Sequence, residues 1–304
     1  MIDLASIDLI RAAPHIALHR GKTFVIKIGG EPMAQRAHRR AFAQQIAAIH
    51  ALGSRLVLVH GGGPQTDSVQ RQLGEEPRLI GGKRVTTPLA LRALCMATAG
   101  ELHGELLADL AAAGVPAAGL AGASAGLLVA RKRPPVQTEQ GTVDFGAVGD
   151  LIGVDVVPLR ALLEAGRLPV VSPPVSDGSG GLLNVNADFM AAAIAAALGA
   201  AKLVLVTGAP GILTDPADPA SLVSALSLEE LRALETAGRV RGGMLAKATA
   251  IARAIEGGVA RVHVVSGLDP RALLVELYTN HGAGTLVTRE KEEASALEAI
   301  EVGS

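Results

Sequence analysis

Leu56-Val57-Leu58-Val59-His60-Gly61-Gly62-Gly63-Pro64 reads as a short buried strand that breaks into three glycines and a proline. An aliphatic run of this kind suits a strand covered on both faces, as in a parallel sheet. The glycines let the backbone approach a ligand, and Pro64 suits the first turn of a helix, whose free amides favour an anion. The same alternation runs along the chain. Strands are expected over 24–28, 55–59, 117–120, 168–172, 203–207 and 261–265, with helices over 35–52, 87–113, 187–198 and 243–256. This pattern predicts an α/β fold, a three-layer αβα sandwich around a mainly parallel sheet.

Outside that frame the signals are weaker. Residues 127–150, punctuated by Pro134, Pro135, Gly141 and Gly146, read as a hairpin or an excursion on the sheet edge. Before the first strand, Leu4, Ile7 and Ile10 recur at helical spacing on a segment that Pro14 is expected to end. The charged tail from Arg289 reads as a short exposed helix or a disordered end. The chain divides into an N-terminal extension (1–20), a first lobe (21–196) and a second lobe (197–304).

Composition narrows the function. Of 304 residues, 49% are apolar, enough for a sizeable core, but with four Phe, one Tyr and no Trp it must be filled by aliphatic residues and Ala. A net charge of -1 argues against a nucleic-acid binder, whose affinity would come from neutralising phosphates. The single cysteine, Cys95, cannot form an internal disulfide; it fits a reducing compartment and reads as a buried, inert thiol. The first ten residues carry Asp3 and Asp8 and no basic stretch of a signal peptide, and the apolar run 189–201 is too short to span a bilayer. A soluble, cytoplasmic chain without membrane contact is expected.

Four segments carry chemistry. Lys27 stands inside Phe24-Val25-Ile26-Lys27-Ile28 and directly before Gly29-Gly30, where a buried ammonium needs an anion. The Gly61–Gly63 run offers backbone amides to negative charge. Asn184-Val185-Asn186-Ala187-Asp188 enters an Ala-rich helix, and Asp188 suits its N-terminus. Arg241-Gly242-Gly243-Met244 leads to Lys247 in a first helical turn, against the helix dipole; such local violations concentrate at sites. The sequence holds no Gly-x4-Gly-Lys-Ser/Thr loop and no Gly-x-Gly-x-x-Gly after a strand, so neither usual nucleotide fingerprint applies.

Together these segments resemble the N-acetylglutamate kinases of the amino-acid kinase fold. The resemblance rests on Lys27-x-Gly29-Gly30, His60 to Gln65, Arg84-Val85-Thr86, Asn184 to Asp188, Ala209-Pro210-Gly211, Gly242-Gly243-Met244 with Lys247, Gly257 to His263 and Gly282 to Thr285. It covers about residues 13–288. It implies a kinase that uses ATP with Mg²⁺ to phosphorylate the γ-carboxylate of N-acetyl-L-glutamate in arginine biosynthesis. Residues 21–196 would form the amino-acid lobe and 197–304 the nucleotide lobe. Lys27, Lys247 and Asp188 would be catalytic. Gly61, Gly62, Gly63, Arg84 and Asn184 would bind the substrate. Gly29, Gly30, Gly208, Ala209, Pro210, Gly211, Ile212 and Met244 would face the nucleotide. No dedicated protein cage for the metal is expected.

The N-terminal segment from Ala13 to Lys22 resembles the extra helix of arginine-inhibited, hexameric members, which would place an effector site at His15, Glu276, Gly282 and Gly284. A homodimer or homohexamer is expected, with docking of a nitrogen-signalling partner left open. Several positions depart from the family pattern. Glu31-Pro32 follows Gly30 where a small pair is usual, and Gly208 stands where an aspartate is usual. Ser124 lies in a turn that has lost two charges, and His103-Gly104 replaces an Asn-Lys pair. His15 replaces a tyrosine and Arg271 a histidine. Two other readings therefore stand beside the first: a kinase for another acylated amino dicarboxylate, and a non-catalytic regulator that binds arginine.

Overall fold

The computed structural model describes residues 9–138, 141–215, 217–240 and 242–290. Its main sheet contains β1 (Thr23–Ile28), β2 (Arg55–His60), β3 (Ala117–Ala121), β4 (Leu168–Ser172), β5 (Lys202–Thr207), β6 (Ala225–Ser227), β7 (Arg261–Ser266) and β8 (Gly284–Thr288). Their spatial order is β6-β8-β7-β5-β1-β2-β4-β3. Every neighbouring pair is parallel except β7 with β8. β1 lies at the centre, with Lys27 level with Leu205 on one side and Val59 on the other.

Alternation along β1 sends its residues to two cores. Val25, with Val57, Val59, Leu203 and Leu205, packs against α6 (Ala187–Leu198) and α7 (Gly243–Glu256) through Met190, Ile194, Ile251 and Ile255. Phe24, Ile26 and Ile28 face the other way, toward Phe42 and Ile46 of α2 (Arg36–Ala51), Leu106 and Leu110 of α5 (Leu102–Ala112), and Leu273 of α8 (Ala272–Tyr278). The result is the expected three layers, with aliphatic side chains filling both interfaces. Lys27 points to the same side as Val25, toward α6.

Four expectations change. Of the two readings of residues 127–150 the hairpin holds, and the excursion on the edge of the main sheet does not. Leu128–Lys132 and Gly149–Val154 pair with Val175–Ser176 and Leu182–Leu183 in a separate four-stranded sheet, and Val136–Thr138 with Gly141–Val143 forms a small hairpin. The helix expected over 87–113 runs as α4 (Pro88–Leu94), a π-helical segment Cys95–Glu101, and α5. Cys95 is half-buried rather than buried, and burial raises its pKa, which keeps the thiol protonated. Pro14 does not end α1 (Leu9–His19): it lies inside it, on the exposed side, where a missing N–H costs least. The buried stripe of α1 is Ala12, His15 and His19, whereas Ile10 is 85% exposed. Leu4, Ile7 and the tail beyond residue 290 lie outside the described residues.

His19 has a consequence for stability. Its ring packs edge-on against Phe24 and Tyr278, neither ring nitrogen has a partner among the described residues, and burial drives its pKa down to about 2. His60 is also buried and falls to about 4, with burial the main cause. In the unfolded chain both titrate near the ordinary value. Between about pH 6.5 and those lower values the unfolded state binds more protons, so acid favours unfolding. Their contribution is fully present above about pH 6.5, and at pH 5 each costs about 2 kcal/mol. Tm should therefore fall steadily from pH 7.5 to pH 5, and His19→Leu should flatten that slope. An unchanged slope in the variant would contradict this account.

Candidate active site

The site forms where the central strands end. β1 delivers Lys27 and then the Gly29-Gly30 turn, with the Gly29 amide still donating to Val206 O at 3.0 Å. β2 ends at His60 and opens into the glycine run and α3 (Gly63–Gln72). The two turns touch: a Cβ on Gly30 would lie 3.0 Å from Gly62 Cα and 2.6 Å from Gln65 Oε1. Gln65 Nε2 spans the same gap, donating to Gly30 O at 2.8 Å. Gly62 has no room for a side chain either, because its Cβ would come within 2.7 Å of Thr98 Cγ2.

Backbone accounting shows which amides are free. Gly61 N–H donates to Ile28 O (3.1 Å), so it is spent on the β1–β2 ladder and cannot hold an anion, contrary to the expectation for that residue. Gly62 O accepts from both the amide and the hydroxyl of Thr66 at 2.8 Å, and Gly63 O accepts from Arg84 at 3.3 Å. Among the described residues the Gly62 and Gly63 amides have no acceptor. Gly62 is buried, and an unpaired buried N–H costs about 1–3 kcal/mol unless a ligand takes it.

Beside these turns lies a charge triad, a Cβ on Gly29 falling 3.8 Å from Lys27 Nζ. Asp188, in the first turn of α6, lies with Oδ1 2.8 Å from Lys27 Nζ and Oδ2 3.4 Å from Lys247 Nζ, which rises from the first turns of α7. Burial is the main influence on Lys27 and lowers its pKa; Asp188 offsets part of that, and Lys247 pushes it further down. Burial by itself would raise Asp188, yet the two ammonium groups hold its carboxyl below the usual range. Asp188 does not cap its helix. Asn186 does, its side chain accepting from the Asp188 amide at 2.7 Å, which leaves the carboxylate free for the lysines.

Arg84 sits on the far side of α3 with its side chain 11% exposed. It pairs with Asp67, donates to Gln70 Oε1 at 3.0 Å and to Gly63 O, and so has part of its guanidinium fork already held by α3. Asn184 donates to Thr86 Oγ1 at 3.1 Å, two residues beyond Arg84. Sequence reasoning missed Asp67 and Gln70. Their spacing, four and seven residues after Gly63 on one helical face, was the available signal.

On the other side β5 ends in Gly208-Ala209-Pro210-Gly211-Ile212. Ile212 is fully buried, its amide donates to Thr285 Oγ1 (2.9 Å) and its carbonyl accepts from Val223 (3.0 Å), so it belongs to the core and not to a nucleotide surface. Gly211 is also buried, against Leu222 and Thr285. Met244 packs partly against the core. The unusual Glu31 and Gly208 prove to be neighbours. A Cβ on Gly208 would fall within 2.8 Å of both Glu31 carboxylate oxygens, so the Glu31 side chain fills the volume that a residue at 208 would occupy. Ser124 lies apart from these groups, in a turn where its hydroxyl accepts from the Ala121 amide at 3.0 Å.

Two lysines sharing one aspartate beside glycine turns concentrate positive charge of the kind that stabilises a transferring phosphoryl group. The model of the amino acid kinase family matches residues 22–266. The chain belongs to that family. It is 45% identical over 294 residues to the acetylglutamate kinase of Myxococcus xanthus, with 95% of this chain and 96% of that one covered. The solved N-acetylglutamate synthase of Neisseria gonorrhoeae, in complex with coenzyme A and N-acetyl-glutamate, superposes with a TM-score of 0.81 at 30% identity. The match covers 93% of this amino acid kinase and 63% of the synthase. Carbamate kinase of Giardia lamblia shares the fold, with a TM-score of 0.64 at 19% identity over 89% of this chain and 99% of that one. Among the described residues no helix is long and apolar enough to cross a membrane, and no cluster of three or more His, Cys, Asp or Glu side chains could hold a metal.

Proposed function

We propose that this kinase transfers the γ-phosphoryl group of ATP to the γ-carboxylate of N-acetyl-L-glutamate, forming an acyl phosphate for arginine biosynthesis. The observation that carries the reading is the Lys27–Asp188–Lys247 triad beside the Gly29-Gly30 and Gly62-Gly63 turns. A glutamate-type carboxylate, with a reference pKa of about 4.3, is ionised at neutral pH and needs no base. Its oxygen attacks the γ-phosphorus while the bond to the β,γ-bridging oxygen breaks, and ADP leaves with that electron pair. The obstacle is repulsion between anions, so the protein's task is positioning and charge stabilisation.

Lys27 from the first lobe (21–196) and Lys247 from the second (197–304) place positive charge on the transferring oxygens, and Asp188 keeps the two ammonium groups from repelling each other. Arg84 and Asn184 hold the substrate's far end, and Gly29, Gly30 and 208–210 flank the nucleotide. Mg²⁺ carried in with the nucleotide would supply neutralisation of phosphate charge. Asp188 is committed to lysines, so Glu31, over Gly208, would be the carboxylate available to the metal or its waters.

Hydroxylamine trapping tests the reaction directly. With Mg-ATP, hydroxamate should form from N-acetyl-L-glutamate and not from aspartate or free glutamate. Product only from another acylated dicarboxylate would move the assignment to that substrate. No product from any, with no nucleotide bound, would favour a regulator.

A second cavity favours arginine as an effector. It holds about 380 Å³ beside α1 and is lined by His15, Glu276, Gly282 and Gly284 together with Lys202 and Arg261. Glu276 is buried and anchored through His263 Nδ1 and the Ala283 amide, both at 2.7 Å, and these partners keep its carboxyl ionised against the opposing effect of burial. Arg271 is not part of the lining. A carboxylate beside two cationic side chains suits a zwitterion with a guanidinium end. L-Arginine should inhibit turnover, and Glu276→Gln should raise the half-inhibiting concentration about tenfold or more, the loss of one charged hydrogen bond. Wild-type activity indifferent to arginine would remove this site. The outward side of α1 exposes Ile10 and Leu18, a surface for the ring contact of a hexamer, which sedimentation would distinguish from a dimer.

A further inference from the structure

His60 and His103 form a pair outside the residues assigned above to substrate or nucleotide. His60 is fully buried and His103 is 8% exposed. Their rings stack at 30° with centroids 5.1 Å apart, and His60 Nε2 lies 2.8 Å from His103 Nδ1. On its other side His60 Nδ1 lies 2.9 Å from the carbonyl oxygen of Gly61.

Chemistry fixes the protons in this chain. A carbonyl can only accept, so His60 Nδ1 carries a hydrogen and donates it to Gly61 O. A neutral His60 then has a bare Nε2, which must accept from His103 Nδ1–H. His103, if also neutral, keeps a bare Nε2, and that nitrogen presses on Gly119, where a Cβ would come within 2.3 Å. Burial favours the neutral state of both rings, and the charge on Lys27 opposes a proton on His60. The direction of the relay runs one way: His103 to His60 to the Gly61 carbonyl.

That carbonyl belongs to the peptide whose nitrogen is the unpaired Gly62 amide. Holding the oxygen therefore sets the plane, and with it the direction of the Gly62 N–H. The π-helical segment supplies the rest of the support. Thr98 of that segment and Leu102, the first residue of α5, lie against Gly62, and His103 follows against His60.

We propose that His103 is a positioning residue for phosphoryl transfer, acting through His60 to fix the Gly61–Gly62 peptide that presents an amide to the reacting anion. This rests on the reading of the site as a phosphoryl-transfer centre, which the hydroxamate assay on the wild-type enzyme tests separately. A bare structural role would show as lost stability alone.

Two measurements separate these cases. In His103→Phe, which keeps a ring and removes the donor, kcat should fall about 10- to 100-fold with KM for ATP changed far less, the effect of a misplaced group felt mainly in the transition state. His103→Gln, whose amide can still donate, should recover most of that loss. Nitrogen NMR of the wild-type protein at neutral pH should show His60 protonated at Nδ1 and bare at Nε2. A His60 protonated only at Nε2 overturns the proposal, as does a folded His103→Phe enzyme with unchanged kcat. Where His103→Phe does not fold, the tautomer of His60 and the activity of His103→Gln decide: a bare Nδ1 refutes the relay, and a protonated one with near-normal turnover in the glutamine variant supports it.

Discussion

Lys247→Ala is expected to lower kcat by about 10²- to 10³-fold, the usual effect of removing one preorganised group that stabilises transition-state charge. The ammonium of Lys247 donates to Asp188 at 3.4 Å, a longer contact than the 2.8 Å of Lys27, and one bond leaves it two further hydrogens for a phosphoryl oxygen. Negative charge on those oxygens and the flanking groups must be matched as the bond to the leaving ADP breaks, and the interaction is strongest there. KM for ATP and for N-acetyl-L-glutamate should therefore move much less than kcat. Arginine should rescue poorly, because its planar fork cannot occupy the compact position of an ammonium against one carboxylate oxygen. Turnover unchanged in the alanine variant would remove Lys247 from the mechanism.

The second large effect concerns stability. Asp188→Ala strips the counter-charge from Lys27, whose side chain is only 7% exposed in the middle of a strand paired on both sides. Breaking a buried pair at one end leaves an uncompensated charge and costs about 3–5 kcal/mol, a large share of the stability of a typical domain. Activity should disappear as well, since two ammonium groups would then share a site with nothing between them. Urea unfolding should show a lowered midpoint. The double variant Lys27→Met/Asp188→Ala should regain most of the stability but none of the activity. If the single and double variants unfold alike, burial of Lys27 is not the source of the loss.

These effects were partly legible before any fold was described. The strands β6 and β8 were not expected, but the aliphatic runs gave the other six strands of the main sheet to within a residue or so, because a doubly covered parallel strand must be apolar throughout. Lys27 stood out for the same reason. What stayed hidden was non-local. That Glu31 lies over Gly208 depends on two turns 177 positions apart meeting at the ends of neighbouring strands. That the Gly61 amide is consumed by the sheet depends on where the β1–β2 register stops. Local preference misled in two places. Pro14 was read as a terminator, but tertiary contacts through Ala12, His15 and His19 carry the helix past it. Asp188 suited a cap, but Asn186 two residues earlier does that work. The π segment left no composition signal, because Cys95–Glu101 is as compatible with an ordinary helix.

The contact of Glu31 with Gly208 couples the fates of two codons. A carboxylate at either position reaches the same volume, while acids at both would crowd two like charges into it. In a library that randomises both positions under selection for growth, survivors should carry an acid at 31 with glycine at 208, or an acid at 208 with a small residue at 31. The doubly acidic genotype should be depleted, so the two sites will exchange their charge as a pair rather than drift independently.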